Sequence, residues 1–241
     1  MTDALARLIP TLPRATEPLS FRIVTAPSPT DSRLAGSTFS LGAVLLFVAW
    51  WLMPDAATAD AAHILEAVGG TRDRVALSGL VQIVACVLLV PGLVTLARSA
   101  SRRTMWSLVL VAIGVVGMAM DAVYHQLAVE MTAPGVDRAA MLAPMTAMQT
   151  RDIRSLAPLV LAFVIGSPLL VLSLRSEHGT NRAAAVLAAL APAMLVLVGA
   201  AAAAHLVAKR FVALGVLGAI CASLAVVGVD QVSRAARSDA S

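Results

Sequence analysis

Residues 106–130 read WSLVLVAIGVVGMAMDAVYHQLAVE, a run apolar enough to cross a bilayer as a helix yet holding one aspartate and one histidine. A hydrocarbon core about 30 Å thick takes about 20 helical residues, and Trp106 to Leu127 meets that length. Residues three and four apart share a helix face, so Asp121, Tyr124 and His125 form one polar patch, continued by Gly117 and Gly114 at i−4 and i−7 from Asp121. A carboxylate at the centre of a transmembrane helix costs roughly 2.5–3.5 kcal/mol on insertion scales. It therefore turns to the bundle interior and finds a partner. His125, one turn on, is the nearest candidate, and the sequence leaves open whether the pair is ionised or neutral.

The rest of the composition agrees with this stretch. Of the 241 residues, 59% are hydrophobic and 13% charged, and the mean hydropathy is +0.86, which leaves no room for a large soluble domain beside the spans. In a soluble protein the net charge of +4 would suggest nucleic acid. Here the arginines sit in loops and tails and read as topology signals, so no nucleic-acid partner is expected. Lys209 is the one lysine among 18 basic residues, and alanine is abundant, a composition typical of a high-GC bacterial genome. Cys86 and Cys221 both fall in apolar runs, which argues against a disulfide framework.

Six apolar runs follow one another: about Ser37–Met53, Val75–Leu96, Trp106–Leu127, Leu156–Leu174, Ala183–Ala204 and Phe211–Val229. The expected protein is all-α, a multi-pass bundle of six transmembrane helices (37–229) in the bacterial plasma membrane. Residues 1–36, rich in proline and without a secretory apolar core, form a flexible cytoplasmic tail, and 230–241 form another. The outer loops, 54–74 and 130–154, are partly helical, with short helices near Asp60–Val68 and Arg138–Met148. Most of the 18 Lys and Arg fall on the tails and inner turns, so both termini are expected inside.

The two outer loops resemble each other. Thr71-Arg72-Asp73 opens the second span and Thr150-Arg151-Asp152 the fourth, and the threonines read as N-caps. Pro91 precedes Arg98 by the same step that separates Pro168 from Arg175. A tandem helix-hairpin repeat follows, its copies parallel about an axis along the membrane normal. Met53-Pro54-Asp55, the loop helix, and Val90-Pro91-Gly92-Leu93 leading to Leu96-Ala97-Arg98 are similar to small, uncharacterised polytopic membrane proteins of actinobacteria. That resemblance implies a fold and no activity.

Depth selects the residues able to meet. Gln82 lies about 10 Å into its span and Asp121 a similar distance from the outer end of its own, so the two are placed to hydrogen-bond. With Ser78 one turn above Gln82, and with Tyr124, His125 and Trp50 or Trp51, they would line an outward-facing pocket for a small molecule or ion. The competing reading is a polar clasp that only packs helices, in an interaction protein that assembles with itself or with another membrane component.

Other chemistries find less support. His125 and His205 at similar depth would suit a haem, but the glycines that clear space for a macrocycle are missing beyond Gly114 and Gly117. Met141, Met145 and Met148 with His63 or His125 would suit Cu(I), although such a stripe more simply docks a loop helix. No phosphate loop, His-Glu-x-x-His, Gly-x-Ser-x-Gly or paired-acid motif occurs, so hydrolase, kinase and prenyltransferase readings lack support; no resident cofactor is expected, and whether the protein is an enzyme stays open.

Overall fold

A computed structural model describes residues 28–54, 60–178, 184–186 and 209–238. Six helices carry nearly all of these residues, residues 184–186 are also helical, and no strand occurs among the described residues: α1 (Pro29–Leu52), α2 (Ala61–Gly70), α3 (Arg72–Arg98), α4 (Arg102–Met131), α5 (Arg138–His178) and α6 (Lys209–Ser238). All but α2 contain a segment long and apolar enough to cross a membrane. The expected fifth span, Ala183–Ala204, lies outside the described residues apart from residues 184–186, as do Pro192 and His205.

Neighbours pack antiparallel in the order α6, α1, α3, α4, α5, and α5 also touches α6. The five long helices are apolar on both sides. Phe39, Leu46, Leu89 and Val111 face inward, while Val44, Val87, Val116 and Ile165 face outward, as in helices whose outer surface meets lipid. Where lipid tails are as apolar as the side chains, helices associate through close packing, and small residues permit it. A Cβ on Gly92 would lie 2.5 Å from Phe39 Cβ, one on Gly117 2.5 Å from Leu159 Cβ, and one on Gly166 2.7 Å from Leu110 Cβ. These glycines bring α1 against α3 and α4 against α5.

Several helix limits differ from the expectation, each for a local reason. Ahead of the first apolar residue, α1 begins at Pro29 because Ser28 and Asp31 form a reciprocal capping box with proline at the first helical position. At the other end of the chain, α6 runs to Ser238, past the point where the apolar run stops. The Arg138–Met148 segment is not a separate loop helix. It is the first part of the 41-residue α5, which continues through Pro144, Pro158 and Pro168. Laid over the first copy by its Thr-Arg-Asp, the second has Met148-Gln149 where the first has the helix-ending Gly69-Gly70, so nothing there stops the helix. Thr150 is accordingly no N-cap; its hydroxyl donates to Thr146 O inside α5. Thr71 stands at the N-cap position of α3 without capping it, and its hydroxyl donates back to Ala67 O of α2.

A second apolar cluster closes one end of the bundle, where Leu65 and Val68 of α2 meet Val75, Val129 and Met145. Between α4 and α5 the chain reverses on Pro134-Gly135, with Gly135 at φ 85 and Val136 N–H donating to Ala133 O, the pattern of a type II turn. Two arginines from the first turn of α3 serve the ends of other helices. Arg72 donates to Val129 O of α4 and Arg74 to Trp51 O of α1, placing positive charge on helix C-termini that carry no basic residue in their last turns.

Gly117→Val should cost about 1–3 kcal/mol by overpacking the α4–α5 contact, whereas Gly70→Ala, whose Cβ meets nothing within 4 Å, should leave stability unchanged or slightly raised. Thermal unfolding of the detergent-solubilised protein separates the two. Equal midpoints would mean that close approach at Gly117 does not hold α4 to α5.

Candidate intramembrane polar site

Helical spacing on α3 aligns Ser78, Gln82 and Cys86 on one buried face, and on α4 the face bearing Met118, Asp121 and Ala122 turns toward them. The structure brings Gln82, Asp121 and His125 together. Gln82 is fully buried, and its amide nitrogen donates to Met118 O at 2.7 Å and to Asp121 Oδ2 at 3.0 Å. Both of its N–H groups are thus engaged across the α3–α4 contact. Its Oε1 is buried with no hydrogen-bond partner.

His125 Nδ1 lies 3.7 Å from Asp121 Oδ2, too far for a hydrogen bond, and is likewise buried without one. The two side chains are 15% and 14% exposed, respectively, so the carboxylate is largely withdrawn from solvent with a single hydrogen-bond donor. Asp121 stands ten residues before the end of α4, about 15 Å along the axis, and Gln82 ten residues after the start of α3. Both therefore lie at the same depth below the end that carries α2.

The other expected members are held elsewhere. The Tyr124 hydroxyl donates to Met145 Sδ at 3.3 Å, tying α4 to the buried stripe of α5, while its ring stands edge-on to the imidazole of His125 at 5.9 Å. Ser78 is fully buried and donates to Ala49 O of α1 at 2.6 Å, which commits its hydroxyl to the α1–α3 contact. The Trp50 indole N–H is buried without an acceptor, and Trp51 is 54% exposed. Among the methionines, Met145 is fully buried and Met141 packs beside it. No group of three or more His, Cys, Asp or Glu that could hold a metal occurs among the described residues.

Two polar contacts escaped the sequence reading. Gln126, directly after His125, donates to Ala76 O at 2.8 Å and forms a second α3–α4 clasp above the first. Its place beside Asp121, Tyr124 and His125 was the available signal. At the far end of the bundle, Glu177 of α5 accepts from Thr104 at 2.6 Å and from Ser101, the N-cap of α4. A carboxylate there complements the positive end of the α4 dipole. Nothing in the local sequence pairs residues so far apart along the chain.

Comparison with protein-family models, curated proteins and solved structures finds no match for this chain. What the patch can do must therefore be argued from its own atoms.

Gln82→Met removes both donors of the clasp while keeping much of the side chain's volume. The loss should cost about 1–3 kcal/mol, because Asp121 is left in an apolar bundle without its donor. A thermal-unfolding cycle with Asp121→Asn should show coupling between the two positions of at least about 0.5 kcal/mol. Strict additivity would mean that the bond carries no stability of its own.

Proposed function

We propose that this chain is a six-span protein of a bacterial plasma membrane that binds or passes a small molecule or ion through the patch around Asp121, from the face bearing α2. The observation that carries the reading is the enclosed Asp121 carboxylate, bonded by the Gln82 amide and 3.7 Å from His125 Nδ1, where Gln82 Oε1 and His125 Nδ1 are both buried without a hydrogen bond. Ionisable groups inside a membrane are expensive and are retained where they do work. Tyr124, edge-on to the imidazole, and Ser78, one turn above Gln82, serve as supports of that patch.

The membrane placement has its own support. Trp106 is 66% exposed near the start of α4, and twenty residues on, about 30 Å along the axis, Gln126 meets α3 at the level of Ala76, close to where Arg74 reaches Trp51. Two exposed tryptophans spaced by the hydrocarbon thickness fit an aromatic belt at each interface. Glu177 docks on the start of α4, so α5 ends at the same end of the bundle as the α3–α4 turn. The opposite end is where α6 begins, since Phe47 meets Gly218 while Gly36 meets Gly228. Residues 178 and 209 thus stand at opposite ends of the bundle, which supports a sixth crossing.

Arg98, Arg102, Arg103, Arg175, Arg234 and Arg237 gather at the end where α1 starts and α6 stops, and this favours cytoplasmic termini. The tandem repeat is supported by similar packing in its two halves. Gly42 meets Ala85 six residues before Pro91, and Gly114 meets Phe163 five residues before Pro168.

A second reading rests on the Gln82 bonds themselves. By joining two helices through both N–H groups, they would serve as a clasp in an interaction protein without any ligand. Native mass spectrometry of protein released from mild detergent, wild type beside Asp121→Asn, separates the readings. The ligand reading expects a bound small molecule or ion on the wild type that the folded variant lacks. A wild type without adduct, together with a destabilised variant, would overturn it in favour of the clasp.

Orientation is checked with Gly70→Cys and Ser99→Cys in intact cells, since Cys86 and Cys221 are both buried. A membrane-impermeant maleimide should label position 70 and spare position 99; the reverse pattern would invert the topology.

A further inference from the structure

Resting on the reading of the patch as a ligand site, we infer that its occupant is a small cation bearing N–H donors, an ammonium or primary alkylammonium ion. The orientation of the Gln82 amide is fixed by its partners. Met118 O only accepts, so the amide nitrogen must face it, and the second N–H is spent on Asp121 Oδ2. The amide cannot turn over, and its Oε1 is left as a fully buried acceptor with no donor. Asp121 receives one hydrogen bond where a carboxylate has room for about four. The neutral imidazole of His125 can present Nδ1 as a third acceptor.

With Nδ1 of His125 as an acceptor, what the patch lacks is donors and positive charge. An anion would meet the Asp121 carboxylate with no N–H left to offset it. A neutral acceptor would gain nothing from Gln82 Oε1. The 3.7 Å separation between His125 Nδ1 and Asp121 Oδ2 leaves the two unbonded to each other, and one nitrogen at about 2.8 Å from each would bridge them. Several N–H groups on one cationic nitrogen satisfy acceptors that lie in different directions. The His125 ring, held edge-on by Tyr124, keeps Nδ1 at that position. A divalent or transition-metal ion is the poorer fit, because no cluster of three or more His, Cys, Asp or Glu among the described residues would hold it.

Gln126 supplies the control. It spans the same two helices through Ala76 O, directly after His125 in the chain, but takes no part in the patch. The full chain in mild detergent, in a buffer free of amines, is unfolded thermally in ammonium, methylammonium, choline or sodium chloride at equal ionic strength. Ammonium and methylammonium should raise the midpoint in a saturating manner, by about 3–6 °C at tenfold over Kd, while choline, which has no N–H, and sodium should not. The rise should vanish in Asp121→Asn and persist in Gln126→Leu. Should Asp121→Asn fail to fold, the selectivity of the wild type among the four salts decides the matter.

A saturating rise with sodium alone, lost in Asp121→Asn, would overturn the N–H-donor assignment and leave the patch standing as a ligand site. Responses to all four salts that match between wild type and Asp121→Asn would overturn the inference, as would an ammonium rise that survives in the variant.

Discussion

The contact between the Gln82 amide and α4 organises the centre of this bundle. A glutamine inside a membrane helix has two donors and an acceptor to satisfy, and the surrounding side chains are aliphatic. By giving one N–H to Met118 O and the other to Asp121, it holds α3 to α4 at one register and supplies the carboxylate with its hydrogen-bond donor. A slip of either helix by one residue would turn one of these groups toward lipid, where no donor or acceptor exists. Gln126, bonded to Ala76 O toward the α2 end, and Ser78, bonded to Ala49 O of α1, hold the same alignment.

Around that centre the architecture separates two kinds of contact. Small residues make the dry helix interfaces, as where Phe39 fills the space over Gly92 and Leu159 the space over Gly117. Among the described residues, charged, imidazole and amide side chains are kept for the ends and for one layer inside the α2 end. The ends are pinned by charge against helix dipoles: Arg72 and Arg74 on the carbonyls of α4 and α1, and Glu177 on the hydroxyls at the start of α4. The layer at Asp121 differs from both. It is polar, largely enclosed and incompletely bonded, and for that reason it carries the functional argument.

The α-helical class and the membrane-length helices were legible from the sequence. The pairing of Gln82 with Asp121 was also within reach, because depth along a regular helix is a matter of counting residues. Helix ends were less legible. The apolar run sets how much of a helix is apolar, whereas the helix extends until a cap or a glycine stops it, as Ser28 before α1 and Gly69-Gly70 at the end of α2 show. The 41-residue α5 passes through Pro144, Pro158 and Pro168 without interruption. A proline removes one backbone hydrogen bond, and the packing of Met145 and Phe163 on both sides of Pro158 favours a continuous helix.

The sequence by itself determined that five described helices are long and apolar enough to cross a membrane, and which face of α4 is polar, because both follow from local periodicity and from the cost of leaving backbone and charge unsatisfied in hydrocarbon. Only the tertiary structure decided how the polar groups divide. Tyr124 and His125 are adjacent in sequence, yet one hydroxyl is spent on Met145 of α5 while the neighbouring imidazole nitrogen is left beside Asp121. Ser78 and Gln82 share a face of α3, yet the first bonds α1 and the second α4. The physical reason is that spacing along a helix sets direction and depth, whereas the partner in that direction belongs to whichever helix packs there.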